Sequence, residues 1–169
     1  LEKSIADMTK AILIHSPANP TGALLTEGVM RDIAGRGVYV ISDEIYHGLV
    51  YSGRAHSMLE FTENTCVVNG FSKYYSMTGW RLGYLIVPPG YTRAVQKLQQ
   101  NMFISANPFI QRAGVVALRT AGSDAAAMAL EFDIRRRAMV SGLRELGFNL
   151  PAEPGGAFYV FADASHIDP

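Results

Sequence analysis

Apolar residues fall in short unbroken runs separated by segments of helical period. Lys10-Ala11-Ile12-Leu13-Ile14-His15 is one such run, and it stops at Ser16-Pro17-Ala18-Asn19-Pro20-Thr21-Gly22, a dense turn signal; this predicts a strand and then a loop. Residues 24–36 have helical spacing, with Thr26 placed to cap the start and Gly37 the end. Val38-Tyr39-Val40-Ile41 is unbroken and ends at Ser42-Asp43-Glu44, as expected of a strand covered on both faces of a parallel sheet. Cys66-Val67-Val68-Asn69 is another such strand. Tyr84-Leu85-Ile86-Val87 follows it too closely for a helical crossover, so it is expected to run antiparallel.

Residues 91–103 and 108–120 read as two helices parted by Ser105-Ala106-Asn107-Pro108. A longer helix is expected from a Ser123 cap to Leu146, closed by Gly147, with Leu130, Ile134, Met139, Leu143 and Leu146 near one face. After it, residues 148–150 and 157–161 look strand-like, with Glu153-Pro154-Gly155-Gly156 as the turn between. Alternating strands and helices make the first part α/β. The expected architecture is a partial, mainly parallel sheet with one antiparallel strand and flanking helices, followed by a long helix and the start of a small α+β unit. The expected division is 1–122 and 123–169.

Composition leaves this picture unchanged and narrows the function. The 169 residues are 49% hydrophobic and 18% charged with zero formal net charge, ordinary values for a globular chain. Arg135-Arg136-Arg137 reads as an exposed helical stripe, and charge balance without a basic cluster argues against nucleic acid as a partner. No apolar run approaches the length of a membrane span and no signal peptide precedes the first strand. The single cysteine, Cys66, suits a reducing compartment, so the cytoplasm is expected. The first residue is Leu1, and His166-Ile167-Asp168-Pro169 follow a strand-like run with no closing element, so the sequence is expected to be a piece of a longer chain.

The chemistry collects at strand ends. Asn19 follows the first strand, Asp43 and Tyr46 the second, and Ser72 and Lys73 the third, with Arg81 eight residues after the lysine among glycines. Parallel strands place such ends on one edge, where open α/β sheets bind ligands. Two cations there suggest an anionic ligand. An amide, a carboxylate, a phenol, an amine and an arginine together suit a ring-bearing, phosphorylated cofactor that reacts as an aldehyde, which is the inventory for pyridoxal phosphate.

Asn-Pro-Thr-Gly at 19–22, Ser-Asp-Glu-Ile-Tyr at 42–46, Phe-Ser-Lys at 71–73 and Met-Thr-Gly-Trp-Arg-Leu-Gly-Tyr at 77–84, in that order and at those spacings, resemble the class I/II aminotransferases, fold-type I pyridoxal phosphate enzymes. The resemblance implies that Lys73 forms a Schiff base with pyridoxal 5'-phosphate and later moves a proton as a base. It implies that Asp43 pairs with the pyridine nitrogen, and that Tyr46 and Asn19 hydrogen-bond the ring oxygen, with Asn19 also near the substrate carboxylate. Arg81 would hold the phosphate as a fork of donors, helped by Ser72, and Phe158 would line the substrate pocket. The first part would then be the cofactor-binding large domain and the second the start of the small domain.

This sequence departs from the family at Gly70, where some relatives carry a serine that binds phosphate. It also lacks an earlier phosphate-binding turn with a ring-stacking aromatic and a later arginine for the substrate carboxylate. These residues by themselves are therefore expected to bind cofactor weakly and turn over little. Trp80, Tyr84, Tyr74, Tyr75 and Met77 are expected to pack the loop, Glu44 to serve structure, and His15 and His47 to lie outside the site. Asn107 and Ser105 are expected near a partner subunit's site. The implied reaction is transfer of an amino group between an amino acid and a 2-oxo acid, in a homodimer. A lyase or synthase on the same fold and a pyridoxal phosphate-sensing regulator domain are the alternatives.

Overall fold

The computed structural model describes Ile5 and residues 8–167. The outer bounds of the two expected units, residues 1 and 169, lie outside the described residues, as do Asp168 and Pro169. A four-stranded sheet runs in the order β1 (Ala11–His15), β2 (Tyr39–Asp43), β3 (Thr65–Gly70), β4 (Gly83–Ile86). The first three strands are parallel, and β4 is antiparallel to β3, as the short connection requires. The register sets His15 beside Asp43 and Asp43 beside Val68, so the carboxyl ends of β1 and β2 share one edge.

Helix α1 (Glu27–Gly35) connects β1 to β2. The Thr26 side chain accepts the Val29 N–H at 3.4 Å, and Gly37 follows the last turn with φ +67°, so both expected caps are present. Its buried Met30 and Ile33 meet Ile14, Val40 and Met58 on one side of the sheet. Each such side chain taken from water contributes about 1.5–3 kcal/mol. Glu44 stands just past β2 and is 3% exposed. Its Oε1 accepts from Ser42 Oγ at 2.9 Å, Ser57 Oγ at 3.1 Å and the Met58 N–H at 2.9 Å, and its Oε2 lies 3.4 Å from His47 Nδ1. The carboxylate thus joins the end of β2 to the 3-10 turn at Met58–Glu60, the structural role expected of it.

Helices α2 (Pro89–Met102) and α3 (Pro108–Thr120) are the two expected, each with proline in its first turn. The Asn107 side chain caps α3 by accepting the Phe109 N–H at 3.2 Å. Helix α4 (Gly122–Glu145) departs from expectation at its start: Ser123 lies inside it, and Ala121 is the cap, with no side-chain bond. The chain passes straight from α3 into α4 and leaves no extended residue for a serine cap. Gly147, at φ +86°, closes the helix as expected.

The buried face of α4 is also not the expected leucine stripe. Ala125 and Val140 are buried, and Met128, Ala129 and Phe132 pack against a cluster of Tyr46, Leu49 and Ala157. Leu130, Ile134, Met139 and Leu146 are exposed. Small residues let the helix approach the loops closely, and that approach decides its rotation.

Residues 157–161 form no strand. Ala157 has φ +57°, which breaks extended geometry, and the pairing is limited to isolated bridges between Val50 and Gly156 and between Asn149 and Asp163. Pro154, Gly155 and Gly156 are buried rather than a free turn. The Gly155 carbonyl accepts from the Tyr51 and Ser52 N–H groups, Gly156 N–H donates to Gly22 at 2.9 Å, and Ala157 N–H donates to Leu49 at 2.9 Å. A Cβ on Gly156 would stand 2.7 Å from Pro17 Cγ, so glycine is needed where this clasp passes between the loops that follow β1 and β2.

Candidate active site

Asp43 ends β2, and its Oδ1 accepts the Ile45 N–H at 3.1 Å, bending the chain into the turn that carries Tyr46. Tyr46 is 2% exposed, with its ring stacked on His15 at 5.5 Å. Burial first, then the hydrogen bond to Tyr159 and the charge of Asp43, push the Tyr46 hydroxyl well above the usual phenol range.

After β3 the chain turns at once. Phe71 N–H donates to Leu82, Met77 N–H to Phe71, and Thr78 Oγ1 to the Ser72 carbonyl at 2.7 Å. This closed turn holds Lys73, whose Nζ lies 5.8 Å from the centroid of the Tyr46 ring and 5.8 Å from that of Phe158, within cation–π reach of both. Gly70 has a packing reason as well: a Cβ there would stand 2.9 Å from the Leu82 carbonyl oxygen. Tyr74 and Tyr75 pack within the loop, with ring centroids 5.0 Å apart. Tyr84 sets its ring edge-on to Phe71 yet is 43% exposed, and Trp80, also expected beneath the loop, is 49% exposed on its 3-10 turn (Thr78–Trp80).

Asn19 Nδ2 donates to the Tyr159 hydroxyl at 3.4 Å, and Tyr159 shares a 2.7 Å hydrogen bond with the Tyr46 hydroxyl. The structure therefore brings Asn19, Tyr46, Lys73 and Phe158 together, with Asp43 at the adjoining strand end. Ser72 contributes its carbonyl to the turn. Arg81, in the left-handed conformation at φ 55°, donates from Nη1 to the Thr78 carbonyl at 3.1 Å and lines a groove of about 750 Å³ between β4 and α2.

Tyr159 and His15 are site neighbours that the sequence pattern does not reveal. An alternating strand would turn residues 158 and 159 to opposite faces. The left-handed Ala157 instead brings both rings to Tyr46, at 5.3 and 5.7 Å. His15 Nδ1 faces the Asn19 N–H at 3.5 Å, and its Nε2 is buried without a protein partner among the described residues.

Residues 1–167 match the family described as aminotransferase class I and II. The chain is 44% identical over 165 residues to a (5-formylfuran-3-yl)methyl phosphate transaminase of Methanocaldococcus jannaschii, covering 95% of this chain and 44% of that protein. It is 41% identical to a valine–pyruvate aminotransferase of Mycobacterium tuberculosis, covering 92% of this chain and 42% of the relative. The crystal structure of Thermus thermophilus aspartate aminotransferase with maleate superposes with a TM-score of 0.92 at 36% identity, over 99% of this chain and 46% of that one. The chain thus spans less than half the length of these relatives. With the whole of its described sheet shared with solved members and the family pattern running almost end to end, this chain belongs to the class I and II aminotransferases.

Proposed function

We propose that these residues form part of the cofactor-holding half of a pyridoxal phosphate-dependent aminotransferase that moves an amino group between an amino acid and a 2-oxo acid. The observation that carries the reading is Lys73 Nζ set against the Tyr46 and Phe158 rings, with the Asn19 amide linked to the Tyr46 hydroxyl through Tyr159. The donor set fits the cofactor: an amine, a phenol, an amide and a carboxylate gathered by three strand ends, with His15 Nε2 buried and without a hydrogen-bond partner among the described residues. When bound, pyridoxal phosphate supplies an aldehyde for covalent attachment of amines and an electron-withdrawing ring.

In this reading Lys73 is the covalent anchor and then carries a proton to and from the substrate's α-carbon. Asp43 keeps a proton on the ring nitrogen through its negative charge. Tyr46 and Asn19 donate to the ring oxygen, and Asn19 also meets the substrate carboxylate. Arg81 retains donors beyond the one bound to Thr78 and takes the phosphate with Ser72. Phe158 walls the substrate side.

The similar proteins named above act on different substrates, which agrees with a shared cofactor set and a substrate reader that varies. The proposed assembly is a homodimer and the proposed compartment the cytoplasm. Among the described residues no helix is long and apolar enough to cross a membrane. The division at residues 122 and 123 is proposed as the boundary between the large and small domains.

Borohydride reduction of the full-length protein loaded with pyridoxal phosphate, followed by peptide mapping, should label Lys73; a label on another lysine, or none, overturns the assignment. Product formation that requires a 2-oxo acid acceptor distinguishes transfer from lyase chemistry.

A further inference from the structure

We infer that Tyr159 is a positioning residue that acts on the cofactor through Tyr46, by donating its hydroxyl proton to the Tyr46 oxygen. The inference rests on the reading of Tyr46 given above. Tyr159 lies on the clasp segment, far in sequence from the motifs that carry Asn19, Asp43, Tyr46 and Lys73, yet its hydroxyl oxygen is 2.7 Å from that of Tyr46. Each phenol has one proton, and only one can lie between the two oxygens. If Tyr46 gives its proton to the ring oxygen of the cofactor, the shared bond can be made only by the Tyr159 hydroxyl donating to Tyr46.

Asn19 stands at the head of this chain. Its amide nitrogen only donates, and it donates to the Tyr159 oxygen at 3.4 Å. One of the two Nδ2 protons then heads the order Asn19 to Tyr159 to Tyr46 to the ring oxygen, and the other is left for the bond of Asn19 itself to that oxygen. A hydroxyl that accepts a hydrogen bond becomes a better donor, so each step strengthens the next. Ring packing holds Tyr159 in place independently of its hydroxyl: its ring lies 4.9 Å from that of Phe158. Backbone bonds on both sides of Gly155–Ala157 fix the segment. Removing the hydroxyl therefore changes a proton donor and leaves the packing.

The test is the pH titration of the visible absorbance band of the full-length protein loaded with pyridoxal phosphate. A donor on the ring oxygen stabilises its anionic form and lowers the midpoint of that titration, so Tyr159→Phe should raise the midpoint by about 0.5 unit or more. Tyr51→Phe is the control: it removes a hydroxyl that donates to the Ala157 carbonyl on the same segment and should leave the midpoint in place. Adding Tyr159→Phe to Tyr46→Phe should shift it no further, because the effect runs through Tyr46.

An unchanged or lowered midpoint in Tyr159→Phe overturns the inference, as does an equal rise in Tyr51→Phe or a further rise in the double variant. A wild-type protein that shows no visible band with pyridoxal phosphate overturns the cofactor reading itself, and the inference with it.

Discussion

The ring of Tyr74 lies against the backbone of Gly48, where a Cβ would stand 2.5 Å from Tyr74 Cδ2. This contact joins the turn that carries Tyr46 to the turn that carries Lys73, and it depends on glycine twice, because Gly48 also has φ +93°. Gly48→Ala should push Tyr74 away and strain the backbone, at a cost of roughly 2–4 kcal/mol. Denaturant midpoints of the two proteins measure this directly. An alanine variant as stable as the parent would mean that the two turns are not locked together here.

Much of this arrangement can be read before folding, and the parts that cannot have physical causes. β2 and β3 show as runs of β-branched residues, and the edge rule for parallel strands then gathers Asn19, Asp43 and Lys73 without a structure. The α4 face is misread because the helix offers several apolar stripes, and the one chosen contains Ala125 and Ala129, whose small size permits close approach but carries little hydrophobic signal. Tyr159 is hidden because Ala157 adopts a left-handed conformation that residue type does not announce. His15 is hidden for another reason: one histidine carries no pattern, and its stacking on Tyr46 arises from the β1–β2 register.

Glu44 bears the junction between β2 and the Met58 turn. Glu44→Ala would leave the Met58 N–H and two serine hydroxyls without their acceptor and should destabilise the protein by roughly 2–4 kcal/mol. Glu44→Gln keeps an oxygen facing these donors and offers an N–H toward His47 Nδ1, so it should lose distinctly less. Thermal or urea unfolding of the pair checks the ranking; equal losses would point to the charge, rather than the acceptor geometry, as what the site needs.

Alkaline pH should loosen the clasp. Burial pushes the Tyr51 hydroxyl up to about 12, and the same cause raises Tyr46. An acid whose folded value lies above its unfolded value near 10 holds its proton more tightly when folded. The stability this contributes is fully present below pH 10 and is lost as pH rises toward 12. Urea midpoints should accordingly stay level up to about pH 9.5 and then fall. Tyr51→Phe should start less stable, having lost the bond to the Ala157 carbonyl, and should fall less steeply over the same range. An identical slope in both proteins would remove Tyr51 from the account.

Arg81 offers the sharpest separation of binding from stability. Its guanidinium is exposed apart from one bond to Thr78, and its backbone holds a left-handed conformation that lysine would share at the same cost. Arg81→Lys keeps the charge but replaces a planar fork with a single ammonium. If the phosphate is held by that fork, cofactor affinity should fall about tenfold or more, since tenfold corresponds to ~1.4 kcal/mol and the loss of one charge-assisted bond is of that size. The unfolding midpoint of the cofactor-free protein should hardly move. Equilibrium dialysis with pyridoxal phosphate reads the first quantity and urea unfolding the second. Unchanged affinity would assign the phosphate to other residues, whereas a drop in both quantities would mean that Arg81 acts by shaping its loop.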